Sequence, residues 1–223
     1  STDTPINDIP VAYDEAVVYP VGFHEDHLTE YSDSLTKSFT NKEGKLKTEL
    51  ENKAEISKMW ENINRRPSGD VTSDSYIQNQ PWSAAAVSNL VMKANNANSK
   101  EDIEGLGFKP TSSHSGYIGD AFKTNADPNY QYNMYMPSNL EGANYGVGDI
   151  MFRGRAGTKK WKYSDFEEAK GSYASHGDVI IEKGNDEKGD FIVVAGGNRT
   201  NRDLSKSDRK KEGTQTFSNS KYY

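Results

Sequence analysis

Three segments hold, in chain order, the parts of a nucleophilic hydrolase: Pro81-Trp82-Ser83-Ala84-Ala85-Ala86-Val87-Ser88, Ser175-His176-Gly177-Asp178 and Gly196-Gly197-Asn198. Ser83 stands at the start of an apolar stretch that reads as a helix from about Trp82 to Ala94. A helix N-terminus offers a partial positive charge and unpaired N–H groups, which favour an anion and can hold an oxyanion. Serine has a high intrinsic pKa and needs a base within hydrogen-bond reach. His176, at the entry to an apolar strand, is the candidate base. A third group must fix the imidazole tautomer. Asn198, just past the next strand, is placed to do so, and Asp178, with the same strand parity as His176, is the alternative. Taken singly these residues have plainer readings: Ser83 as a helix N-cap contributing about 1 kcal/mol, His176 as a hydrogen-bonded structural residue, and Gly-Gly-Asn as a turn. The chemical reading rests on their order and spacing together.

Other residues extend the constellation. Trp82, beside the nucleophile, and His114, in Ser112-Ser113-His114-Ser115-Gly116-Tyr117, are candidates to line a substrate cleft, His114 only by the family resemblance described below. For His114 a structural role capping a neighbouring turn weighs equally. His24-Glu25-Asp26-His27 has metal-binding residue types but lacks the His-Glu-x-x-His spacing of zinc proteases, so it reads as solvated charge and no metal site is expected.

The elements that must position these groups change character along the chain. Residues 1 to 44 are polar, with prolines at 5, 10 and 20, and read as an extended N-terminal arm. Lys45 to Asn64 has apolar residues at roughly helical spacing and ends at Arg65-Arg66-Pro67-Ser68-Gly69-Asp70. A further helix is expected over Ser112 to Lys123, followed by a long loop from Thr124 to Gly146. Strands are expected at Asp149 to Arg153, Asp178 to Glu182 and Asp190 to Ala195, the last two joined by a hairpin loop. Helices first and antiparallel strands afterwards define an α+β class. The expected organisation is an arm over 1–44, one domain over 45–200, and a polar C-terminal tail over 201–223, the arms resting on other protein chains of an assembly.

Composition narrows the function. With 223 residues, 33% hydrophobic, the chain builds a modest core. A net charge of −6 argues against nucleic acid or an anionic membrane as partner. The absence of cysteine excludes disulfides, thiolate metal sites and a cysteine nucleophile. No apolar run is long enough to span a bilayer, and the first residues, Ser1-Thr2-Asp3-Thr4-Pro5, do not read as a signal peptide.

The segment from Trp82 to Ser88 resembles the Pro-Trp-Cys-Ala-Ala-Phe-Val segment of CHAP and NlpC-type papain-like peptidoglycan hydrolases, with Ser83 on their catalytic cysteine. Gly148-Asp149-Ile150, Ser175-His176-Gly177-Asp178-Val179-Ile180 and Gly196-Gly197-Asn198 resemble the following strand start, histidine strand and third-residue segment. Most similar is a bacterial and phage family of that superfamily with Pro-Trp-Ser-Ala-Ala, a central Ser-His-x-x-Tyr and a Gly-Gly-Asn ending. The resemblance spans about residues 60 to 200. It implies a papain-like core, a Ser83–His176–Asn198 site without cofactor, peptidoglycan as substrate, and a location in a phage tail or the bacterial cell envelope. It departs from the superfamily at the nucleophile, because thiolate chemistry is what makes such sites work near neutral pH. Two outcomes therefore stand side by side: a peptidoglycan endopeptidase or amidase with a serine nucleophile, or a non-catalytic structural component of a virion or envelope assembly built on the same scaffold.

Overall fold

The computed structural model describes residues 15–18, 24–63, 69–70, 73–97, 102–103, 108–124, 133–135, 146–208 and 214–222. The fold is mixed α+β. Its helices are α1 (Glu25–Ser38), α2 (Lys53–Asn62), α3 (Asp74–Asn79), α4 (Ser83–Ala94), α5 (His114–Thr124) and α6 (Tyr163–Glu168). Its strands are β1 (Glu15–Val18), β2 (Asn133–Tyr135), β3 (Ile150–Gly154), β4 (Ser175–Asp186), β5 (Gly189–Thr200) and β6 (Gln215–Tyr222). They form one antiparallel sheet in the order β2-β1-β3-β4-β5-β6.

Helix α4 is the centre of the domain. Every residue from Ser83 to Ala94 except Lys93 is buried. A helix apolar on all sides belongs in a core, and the run Ala84-Ala85-Ala86 lets it lie close against the sheet. The glycines of β5 complete the approach, since a Cβ at Gly197 would overlap the Trp82 ring and come within 2.9 Å of the Ala86 methyl. Trp82 is fully buried, stacked on Phe39 at 5.4 Å, and donates its indole N–H to the Glu49 carboxylate at 2.9 Å.

The helices expected near 82–94 and 112–123 are present, whereas of the helix expected over 45–64 only Lys53–Asn62 is α-helical, Leu46 instead pairing with Thr40 in a β-bridge; the three strands are present, with β4 and β5 each longer than expected. The arm over 1–44 differs. Residues 25–38 form α1, whose Leu28 and Leu35 are buried and which packs on α4. Two leucines one face apart suffice to dock a helix onto a core, and the polar residues around them hide the pattern. Glu25 and Asp26 occupy the first turn, where carboxylates complement the helix dipole. The tail over 201–223 also differs: Gln215–Tyr222 is a full strand on β5, with Phe217 buried against Phe39. Its alternation of one apolar residue among polar ones suits a sheet edge. Most of the expected loop over 124–146 lies outside the described residues. Among the described residues no helix is long and apolar enough to cross a membrane.

Candidate active site

Ser83 is the first residue of α4, and Trp82 holds the N-cap position without a side-chain cap. The serine hydroxyl is therefore not capping the helix. Ser83 Oγ lies 2.6 Å from His114 Nε2, and the other ring nitrogen, Nδ1, forms a short hydrogen bond with the Tyr117 hydroxyl. His114 and Tyr117 sit three residues apart at the start of α5, the spacing that puts two side chains on one helix face. The distance between α4 and α5 is fixed by Ser88, whose Oγ donates to the Thr111 carbonyl and accepts from the Thr111 N–H, both at 3.1 Å.

Strand β4 closes the site from below. A Cβ at Gly177 would fall 2.5 Å from the Tyr117 hydroxyl and 3.2 Å from His114 Nδ1, so only glycine lets the His114–Tyr117 pair lie on the strand. On either side of Gly177 are His176 and Asp178, with His176 Nε2 3.3 Å from Asp178 Oδ1. That is longer than the 2.7–2.9 Å of a tight charge-assisted bond. The His176 ring stands edge-on to that of His114, centroids 5.4 Å apart, and its Nδ1 is buried without a hydrogen-bond partner among the described residues. Arg199 Nη2 lies 3.9 Å from Asp178 Oδ2, and the same guanidinium donates to the Val194 and Ser218 carbonyls and to the Tyr222 hydroxyl.

Burial sets the protonation states. Ser83, His114, His176 and Asp178 are 3%, 5%, 2% and 0% exposed. Burial holds the His114 imidazolium well below the usual histidine range; His176 and Arg155 push in the same direction and the Asp178 carboxylate against it. Burial likewise lowers His176, again opposed by Asp178. The Tyr117 hydroxyl is pushed well up, by burial and then by the Asp178 carboxylate. His114 is thus a neutral imidazole, with one donor and one acceptor nitrogen. In the tautomer that donates from Nδ1 to Tyr117, the Nε2 lone pair faces the Ser83 hydroxyl, which is the arrangement of a general base and its nucleophile.

The structure thus places the sequence-derived candidates as follows. Ser83 has a histidine partner, but it is His114, expected only to line the cleft, rather than His176. His176 has the alternative neighbour, Asp178, rather than Asn198. Asn198 has φ +55° and, with Gly197, forms a β-bulge: between Gly196↔Ser218 and Arg199↔Thr216, β5 carries one more residue than β6. Asparagine is among the few residues that take this left-handed conformation readily. Gly-Gly-Asn therefore serves geometry: Gly196 clears Asp178, Gly197 clears Trp82, and Asn198 makes the bulge. Trp82, fully buried and bonded to Glu49, offers no surface to a substrate. The His24 and His27 rings lie 4.9 Å apart, tilted by 40°, at the start of α1, and among the described residues no group of three or more His, Asp or Glu side chains could hold a metal ion. The signal for the actual partner of Ser83 lay in Ser113-His114-Ser115-Gly116-Tyr117, where a histidine and a tyrosine share a helix face.

Residues 48–214 match the sequence profile of a family described as "Uncharacterized protein conserved in bacteria (DUF2272)". The chain belongs to this family. The matched span takes in α2 to α6 and β2 to β5, and so every residue of the Ser83–His114–Tyr117 and His176–Asp178 groups, while α1 and β6 fall outside it. No curated protein and no solved structure matches the chain.

Proposed function

We propose that the chain is a hydrolase that cleaves amide bonds of peptidoglycan by acyl transfer through Ser83. The observation that carries this reading is the 2.6 Å contact between Ser83 Oγ and a neutral, buried His114 backed by Tyr117. Ser83 Oγ attacks the carbonyl carbon and its proton passes to His114 Nε2. As the C–N bond breaks, His114 returns that proton to the leaving amine, and water then releases the acyl group by the reverse sequence. The developing oxyanion is met by N–H groups of the first turn of α4. The first helical bond runs from Ala86 N to the Trp82 carbonyl, so the earlier N–H groups have no partner within the helix.

A nucleophile at the N-terminus of a buried helix packed on an antiparallel sheet is also how a papain-like core is built, which supports that fold. Peptidoglycan as substrate, and a phage tail or cell envelope as location, follow from the resemblance of the Trp82–Ser88, Gly148–Ile150 and Ser175–Ile180 segments to the CHAP and NlpC-type hydrolases.

A second reading, a non-catalytic scaffold in a virion or envelope assembly in contact with other chains, is favoured by the near-complete burial of Ser83. Incubation with purified peptidoglycan separates the two. Release of new amines by the wild type, lost in Ser83→Ala and His114→Ala, supports the hydrolase. No release by the wild type, nor by Ser83→Cys, leaves the scaffold.

A further inference from the structure

The Gly-Gly-Asn bulge of β5 decides which way Arg199 faces. Gly196 clears Asp178 on one side of the sheet, and Gly197 clears Trp82 on the other. Side chains alternate along a strand, so unbroken alternation would put residue 199 with Gly197, on the α4 side. The extra residue of the bulge reverses this. Gly196 pairs with Ser218 and Arg199 with Thr216, and Ser218 and Thr216, two residues apart on β6, share a face. Arg199 therefore stands on the Asp178 side.

What it brings there is a fixed cation. Its guanidinium donates to the Val194 carbonyl at 3.3 Å, the Ser218 carbonyl at 3.0 Å and the Tyr222 hydroxyl at 3.1 Å. These acceptors are neutral, so they set its position without cancelling its charge. That charge answers the buried Asp178 carboxylate, whose Oδ2 lies 3.9 Å from Nη2. The gap is too long for a hydrogen bond, but charges this close and out of water interact strongly.

Asp178 thus lies between two groups able to serve as its cation. Arg199 is permanently charged. His176, with Nε2 3.3 Å from Oδ1, is charged only when protonated. Charged and titratable groups face His176 from each neighbouring element. On β4, Asp178 favours its protonated form, whereas Arg199 on β5 and Arg155 just after β3 oppose it. Arg153 is its cross-strand neighbour on β3. Helix α5 presents His114, its ring centroid 5.4 Å away, and Tyr117 bonded to His114. The choice of cation matters to Ser83, because a proton on His114 is favoured by Asp178 and opposed by His176.

We infer that Arg199 is a positioning residue of the Ser83 site: it supplies the positive charge that Asp178 requires and so leaves His176 uncharged beside His114. His114 then accepts the Ser83 proton with a carboxylate near it and no second imidazolium against it. The role in the reaction rests on the acyl-transfer reading of Ser83; the hold of Arg199 on the charge of His176 does not.

The test titrates the histidine rings of the isotope-labelled full-length chain by NMR, as wild type, Arg199→Gln and Arg199→Lys. Each is also assayed on purified peptidoglycan between about pH 5.5 and 8, the range in which histidine titrates. Arg199→Gln is expected to raise the proton affinity of His176 about tenfold, and to lower turnover at the acid end about tenfold with KM little changed. The deficit closes as pH rises and His176 loses its proton. Arg199→Lys keeps the charge but not the planar fork, so stability falls while His176 titrates as in the wild type. An unchanged or lowered His176 affinity in Arg199→Gln, or the same rise in both variants, overturns the inference. Should Arg199→Gln fail to fold, Arg199→Lys carries the test alone: wild-type titration supports the inference, and a raised His176 affinity overturns it. A chain whose His176 responds as expected, yet releases nothing from peptidoglycan, loses the hydrolase reading and keeps the charge relation. A hydrolase whose Arg199→Gln form follows the wild-type pH profile loses the positioning role and keeps the nucleophile.

Discussion

The carboxylate of Asp178 fills the space that a side chain at Gly196 would need. Strand β5 can therefore pass the His176–Asp178 pair only where it has no Cβ, and on its other face Gly197 gives the same clearance to Trp82. Two adjacent glycines facing opposite sides of the sheet hold the buried histidine–carboxylate pair against β5 and α4 against the sheet.

Gly196→Ala is accordingly expected to displace Asp178 from His176 and to destabilise the fold by about 1–3 kcal/mol, the usual cost of overpacking. Urea denaturation reads the loss of stability, and the His176 ring resonances read the displacement. A variant with unchanged midpoint and unchanged His176 resonances would remove Gly196 from the account of the site.

The Ser83–His114–Tyr117 chain predicts a graded series. Removing the base with His114→Ala should lower peptidoglycan turnover by about 10²–10⁴-fold, the range for positioned proton transfer. Tyr117→Phe removes one neutral hydrogen bond worth about 1 kcal/mol, so turnover should fall roughly fivefold with little change in KM. His176→Gln, which touches no reacting atom, should cost less than His114→Ala. The reverse order, with His176 the costlier loss, would return the base role to β4.

Much of this arrangement was legible in the sequence, and the misses have physical causes. The apolar stretch after Trp82 reads as α4, and short continuous apolar runs joined by hairpin chemistry read as β4 and β5. The parity of His176 and Asp178 on one strand gave their contact. Order and spacing point to His176 as the partner of Ser83 and the structure places His114 there, because strand order says which segments neighbour α4, but not which of two imidazoles reaches it. That was decided by Ser88 clasping Thr111, a contact between residues 23 positions apart with no local signature. Helix α1 and strand β6 were hidden for a different reason: each docks through one to three buried residues, too few to stand out among polar neighbours.

Acid should weaken the fold through the two buried histidines. Both have their folded-state pKa lowered below 6.5, so the unfolded chain binds more protons than the folded one as pH falls from that value. Stability is fully present above about pH 6.5 and is lost on acidification below it, at up to about 1.4 kcal/mol per pH unit for each histidine. Catalysis behaves in the complementary way: His114 stays neutral to a pH well under its usual range, so the acid limb of kcat/KM is displaced downward. Urea midpoints between pH 7.5 and 5 check the first statement, and His114→Gln should flatten the slope. A wild-type midpoint constant across that range would contradict the assigned burial.

Glu49 makes the opposite prediction. It is 1% exposed, and burial raises its pKa against the lowering effect of its bonds from the Trp82 indole and the Gln215 backbone. The folded chain therefore holds this proton more tightly than the unfolded one. The contribution is most favourable below the unfolded pKa of about 4.5 and is lost as pH rises through the raised folded value. Glutamine keeps an oxygen for the indole N–H and carries no charge, so Glu49→Gln should match or exceed wild-type stability at pH 7. Its advantage over wild type should disappear near pH 4. Glu49→Ala leaves the buried indole N–H without its partner and should cost about 1–3 kcal/mol at either pH. Because Trp82 immediately precedes Ser83, Glu49→Ala should also lower turnover, whereas Glu49→Gln should not. Equal losses in the two variants at pH 7 would show that the carboxylate charge itself, rather than an acceptor for Trp82, is what this position supplies.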